Sequence, residues 1–98
     1  MATIKSDVLS VNNSDADNAL TNSFQPVKLL KPVKTIILDH GGTATEGNLE
    51  LSLDGVHRNF SCYPGCIKAI DLPFSTNTIY LRHSGTAVTI WELGSLEA

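Results

Sequence analysis

The sequence predicts an all-β chain, a small antiparallel β-sandwich of jelly-roll type with an extended N-terminal arm in front of it. Three observations carry that prediction. From Pro26 onward, runs rich in β-branched and aromatic residues alternate apolar and polar positions, as in "NLELSLD" and "TIYLRH". Turn-forming pairs punctuate these runs about every 8–12 residues, among them Asp54-Gly55, Pro64-Gly65 and Ser84-Gly85. No ten-residue stretch has the apolar spacing of an amphipathic helix, and no internal repeat is present.

Taken in order, residues 1–25 form the arm and residues 26–98 the sandwich domain. The arm is rich in Asn, Asp and Ser, and only "DVLSV" has the makings of a short strand. "NNSDADN" buries too little apolar surface to offset the entropy of ordering it. The scattered apolar residues Ile4, Val8, Leu9, Val11, Leu20 and Phe24 read as anchors that need a surface, with Ile4, Val8, Leu9 and Phe24 the principal ones. "PVKLLKPVKTIILDH" then predicts two short strands broken at Pro32, because proline cannot donate within a central ladder. "HGGT" is a turn.

"NLELSLDGVHRNF" is the clearest hairpin. Leu49, Leu51 and Leu53 alternate with Glu50, Ser52 and Asp54, and Asp54-Gly55 suits a type I′ turn. That register sets Leu53 against Val56 and Leu49 against Phe60, and it places Arg58 opposite Leu51 on the apolar face, its stem packed and its head reaching outward. "CIKAIDLPF" predicts a strand ending at Pro73.

"TIYLRHSGTAVTIWEL" predicts the closing hairpin, with positive φ at Ser84 and Gly85. His83 then pairs with Thr86, Leu81 with Val88 and Ile79 with Ile90. Ile79, Leu81, Val88 and Ile90 share the core face. Tyr80, Arg82 and Trp91 share the other, with Tyr80 and Trp91 about 7–8 Å apart as diagonal neighbours.

Composition narrows the function. An apolar fraction of 42% supports one core, and 6% aromatic residues make it a thin one that oligomerisation can supplement. The net charge of −3 leaves no footprint for nucleic acid. Lys28, Lys31 and Lys34, set around prolines, read as solubilising an edge. No run of 18 apolar residues is present to span a membrane. The first residues lack the basic and apolar regions of a signal peptide, which predicts synthesis in the cytoplasm.

The residues that carry chemistry are sparse. His40, His57 and His83 each stand near a turn without metal-ligand spacing. His57 with Asp54 and Ser52, or His83 with Ser84, lacks the strained elbow and oxyanion hole of a hydrolase. The expectation is a non-enzyme with no cofactor and no metal. Cys62 and Cys66 in "CYPGC" read first as two reduced thiols at strand ends. A small disulfide across the Pro-Gly turn is the second reading and a metal site the last.

Tyr80, Arg82 and Trp91 therefore draw attention, being of the residue types that dominate interface energetics. Three readings compete: cover by the chain's own Lys28–Lys34 region or arm, a protein interface, and a sugar-stacking platform. The interface reading ranks first.

The pattern "TNTIYLRHSGTAVTIWEL", joined to a polar Asn/Ser-rich arm, few charges and few aromatics, resembles the small accessory structural proteins of tailed-bacteriophage virions, the capsid decoration or cement type. The resemblance covers residues 26–93. It implies binding to the major capsid protein or another virion protein, a location in the virion, and a homo-oligomer, with a trimer favoured. A carbohydrate- or receptor-binding module, or a tail or baseplate adaptor, is the alternative it leaves.

Overall fold

The computed structural model describes residues 10–12 and 20–97, and every regular element among them is a strand. The six are β1 (Ser10–Asn12), β2 (Gln25–His40), β3 (Leu49–Ser52), β4 (Phe60–Cys62), β5 (Ile67–His83) and β6 (Trp91–Glu97). They join in one open sheet, ordered β1-β6-β2-β5-β3-β4, with every neighbouring pair antiparallel. The all-β class is thus observed, with one continuous sheet where two packed sheets were expected.

Two long strands hold this sheet together. β2 is not broken at Pro32, nor does β5 stop at Pro73; they run 16 and 17 residues. The prolines sit where the ladder slips, which is how a strand accommodates a residue without an N–H. Between the pairs Lys28/Thr78 and Val33/Thr76, β2 uses five residues to the two of β5. Between Val33/Thr76 and Thr35/Asp71 the imbalance is reversed. Side chains alternate across a strand, so such slips decide which set faces inward. Val27, Leu29 and Val33 are buried on β2 before the slip, and Ile36, Leu38 and His40 after it. On β5 the buried set changes from Ile70 and Leu72 to Ile79, Leu81 and His83. The slips keep one apolar face inward along the full length of both strands.

Each long strand serves two neighbourhoods. The second half of β2 pairs with β6 and with the first half of β5, whereas its first half pairs with the end of β5. β3 joins the end of β5 through Leu49/His83 and Leu51/Leu81. One core results, containing Val27, Ile36, Leu38, Leu49, Leu51, Ile79, Leu81 and Leu93.

Both expected hairpins differ. β5 and β6 are not paired, because β2 lies between them. A type I′ turn requires positive φ at both central residues. Here only Gly85 has it, at 60°. The chain instead leaves the sheet at Ser84 and crosses over, and reciprocal bonds between Ser84 and Asn48 anchor the crossing (Ser84 N–H to Asn48 O, Asn48 N–H to Ser84 Oγ, both 3.0 Å). Val88 still enters the core, while Ile90 is 56% exposed.

β3 and β4 do pair, two residues out of the expected register, with Leu49 opposite Cys62 and Leu51 opposite Phe60. Asp54 causes the difference. Its carboxylate accepts the N–H groups of Val56 and His57, both at 2.8 Å, and folds residues 53–57 into a wider loop. Arg58 then falls in the loop rather than opposite Leu51, which removes the misfit on the apolar face.

Of the arm residues, Ser10–Asn12 form an edge strand beside β6, and Leu20 and Phe24 are buried. Ile4, Val8 and Leu9 lie outside the described residues.

Candidate functional site

The trio Tyr80, Arg82 and Trp91 is not brought together. Trp91 opens β6 opposite His40 and is 2% exposed, packed within the core. Its outward placement followed from the hairpin pairing, and it reverses because the crossing changes which parity of β6 faces inward. With Trp91 inside, no Tyr80–Trp91 stacking platform exists.

Tyr80 and Arg82 do point away from the core, and their own chain covers them in part. The Tyr80 ring lies against Gly55, where an added Cβ would come within 3.2 Å of it. Gly55 also has a φ of 83°, so the loop depends on glycine there for both reasons. Arg82 donates from Nε to Glu50 Oε1 at 2.8 Å, and its guanidinium sits 4.0 Å from the centroid of the Phe24 ring. Arg58 Nη1 donates to the other Glu50 oxygen at 3.2 Å. Glu50, expected on the polar side of its strand, is 3% exposed. Two arginines supply its counter-charge, so this buried carboxylate is paired. Arg58 opposite an alternating strand was the signal that could have located it.

Asp54, His57 and Ser52 meet in an order unsuited to nucleophilic catalysis. The Ser52 hydroxyl donates to Asp54 Oδ1 at 2.9 Å, and His57 Nδ1 meets Asp54 Oδ2 at 2.6 Å. The carboxylate therefore stands between the hydroxyl and the imidazole, whereas an activated serine needs the imidazole as its neighbour. The side-chain bond to His57, followed by backbone N–H groups, holds the Asp54 carboxyl far below its ordinary value of 3.8. His40 Nε2 meets the Gly47 carbonyl at 2.7 Å, and its Nδ1 accepts the Gly42 N–H at 3.2 Å. His83 Nδ1 is buried without a hydrogen-bond partner. Among the described residues, no three His, Cys, Asp or Glu side chains converge to hold a metal ion.

Cys62 and Cys66 are free thiols. Cys62 is buried, and its Sγ donates to the Cys66 carbonyl at 3.0 Å. Burial first, and then contact with the Cys66 side chain, push the Cys62 thiol up to about 12.

A different surface stands out. The outer face of β6, β2 and the first half of β5 is laid out in rows by the strand register. One row is Gly94–Ile37–Ala69 and the next Glu92–Asp39–Ile67, with Thr35–Asp71 flanking the first. Ile90 extends the face beyond the strands, since its side chain packs beside Gly41. Ile37, Ile67 and Ile90 are 38%, 69% and 56% exposed, and Ala69 is exposed as well. Asp39, Asp71 and Glu92 border this apolar centre, and the rows contain no basic residue. The result is an apolar, acid-rimmed surface on an open sheet. Adjacent apolar pairs hint at it in the sequence, because Ile36-Ile37 and Ile90-Trp91 each must turn one side chain outward.

No family model, curated protein or solved structure matches this chain.

Proposed function

We propose that this chain is a non-enzymatic structural subunit of a bacteriophage virion, a decoration or cement protein that self-associates and reinforces the shell of major capsid protein. The observation that carries the reading is the acid-rimmed apolar face of β6, β2 and β5. Exposed large apolar side chains grouped on one face of a sheet are the usual mark of a protein contact. The partner this face suits is apolar with a basic rim. A second copy of the chain offers a basic group for the acid rim in Lys34, which is exposed on β2.

A contact between two different patches is heterologous, and it closes into a ring when the rotation allows, which agrees with the trimer implied by the resemblance. Such a ring set across neighbouring capsid subunits adds interface area and raises the force needed to part them. The capsid anchors assigned from the sequence at Ile4, Val8 and Leu9 belong to this proposal.

The test is the solution mass of the full-length protein by light scattering at low micromolar concentration, with Ile67→Glu and Lys34→Glu variants. A stable oligomer that both substitutions dissociate, and that weakens with added salt, supports the reading. A monomer, or an oligomer indifferent to both substitutions, overturns it.

A further inference from the structure

We propose that Cys62 and Cys66 form a reversible dithiol–disulfide staple that closes the β4–β5 turn in an oxidising solution containing a disulfide such as oxidised glutathione. The backbone already holds the two residues at opposite ends of one tight turn. Cys62 ends β4, Cys66 immediately precedes β5, and the Cys66 N–H donates to the Tyr63 carbonyl at 2.9 Å. Pro64 and Gly65 fill the central positions, and Gly65 has the positive φ, 83°, that a type II turn requires.

Beneath it, the end of β2 fixes the turn by a reciprocal pair. His40 N–H donates to Cys66 O at 3.0 Å, and Gly65 N–H donates to His40 O at 2.8 Å. The Cys62 thiol bonds to the same Cys66 carbonyl, so the sulfur is already beside its partner residue. Closing the staple replaces this thiol–carbonyl contact with a sulfur–sulfur bond. The Cys66 carbonyl gives up the thiol donor and keeps the His40 N–H, leaving no buried acceptor unpaired.

The exchange balances with one glutathione disulfide. Cys66, the more exposed thiol, loses its proton and attacks one glutathione sulfur, expelling the other glutathione as a thiolate. Cys62 then loses its proton and attacks the Cys66 sulfur of the mixed disulfide, expelling the second glutathione. Both protons end on the two glutathione thiols. Because Cys62 is hard to ionise, the second step is the slow one and accelerates as the pH rises.

The staple ties β4, a three-residue strand at the sheet edge, to the much longer β5. The timing of closure rests on the proposed function: a virion protein assembles with reduced thiols in the cytoplasm and meets oxidising conditions after release. The chemistry does not depend on it.

The experiment treats full-length protein with oxidised glutathione at pH 8 and follows intact mass, free thiols and thermal unfolding. The expected product is a chain two hydrogens lighter with no covalent link to a second copy, without reactive thiols and with a midpoint raised by several degrees. Cys62→Ser stops at a stable glutathione adduct on Cys66. Wild-type protein that stops at the adduct, forms intermolecular dimers, or keeps both thiols overturns the proposal. These readouts are separate from the light-scattering mass, so assembly and staple can fail independently.

Discussion

Gly47 connects the two crossings of the chain, and replacing it with alanine tests how the unpaired strands β5 and β6 are held apart. A Cβ at Gly47 would overlap the Ser84 carbonyl oxygen and come within 2.7 Å of the Ser84 carbonyl carbon and of the Thr86 oxygen. All three are backbone atoms, so no rotamer change relieves the overlap. The same few residues make the bonds that secure both loops: Gly47 N–H to Thr86 O at 2.9 Å, and the Ser84–Asn48 pair. Forced overpacking costs about 1–3 kcal/mol. Loss of two of these bonds adds about 1 kcal/mol each. The expected destabilisation is about 3–5 kcal/mol, which lowers the thermal midpoint of a chain this size by about 15 °C or more. Urea unfolding followed by circular dichroism and by Trp91 fluorescence measures it. Gly65→Ala is the control, since Gly65 has nothing within 4 Å and differs only in its positive φ. It should cost about 1–2 kcal/mol. A Gly47→Ala variant within about 0.5 kcal/mol of wild type, or no worse than Gly65→Ala, would refute the steric argument.

Glu50→Gln leaves Arg58 and Arg82 without their shared counter-charge. Both arginines reach solvent, with side chains 58% and 31% exposed, so the cost should stay near 1–3 kcal/mol, below that of a fully buried broken pair. In double-mutant cycles Glu50 should couple more strongly to Arg82 than to Arg58. Alkaline stability follows from Cys62: its thiol ionises near the ordinary 9.0 when unfolded and near 12 when folded. The unfolded chain therefore holds fewer protons in that interval, and stability that is complete below pH 9 falls as the pH rises toward 12. Cys62→Ala should flatten that slope in denaturant midpoints measured across the range. Glu46 has the opposite sign. The Thr89 hydroxyl at 2.8 Å and the Thr89 N–H depress its carboxyl below the ordinary 4.5. Its contribution is present above that value and is lost as the pH falls through the folded one, and Thr89→Val should remove the hydroxyl's share of the acid slope while leaving that of the N–H.

Much of the local structure was legible in the residues. Alternation along "NLELSL" and "TIYLRH" located two strands, and the apolar identities of Ile79, Leu81 and Val88 located part of the core. The site was far less legible. Trp91 was placed outside because a Ser-Gly pair between two apolar runs signals a tight hairpin, and that one assumption fixes the parity of every later residue. Glu50 was placed in solvent because alternation alone puts it there. Nothing in a strand's own sequence reveals that Arg82, 32 positions away, will return beside it with Phe24 on top.

The division has a physical basis. Secondary structure answers to local alternation and turn chemistry, and those are properties of neighbouring residues, so an all-β chain and most of its strands follow from the order of residues alone. Strand order, register and the exposed face answer to pairing between distant segments. The slips at Pro32 and Pro73, the insertion of β2 between β5 and β6, and the outward turn of Ile37, Ile67 and Ile90 were decided only when one apolar face had to be buried along the whole sheet.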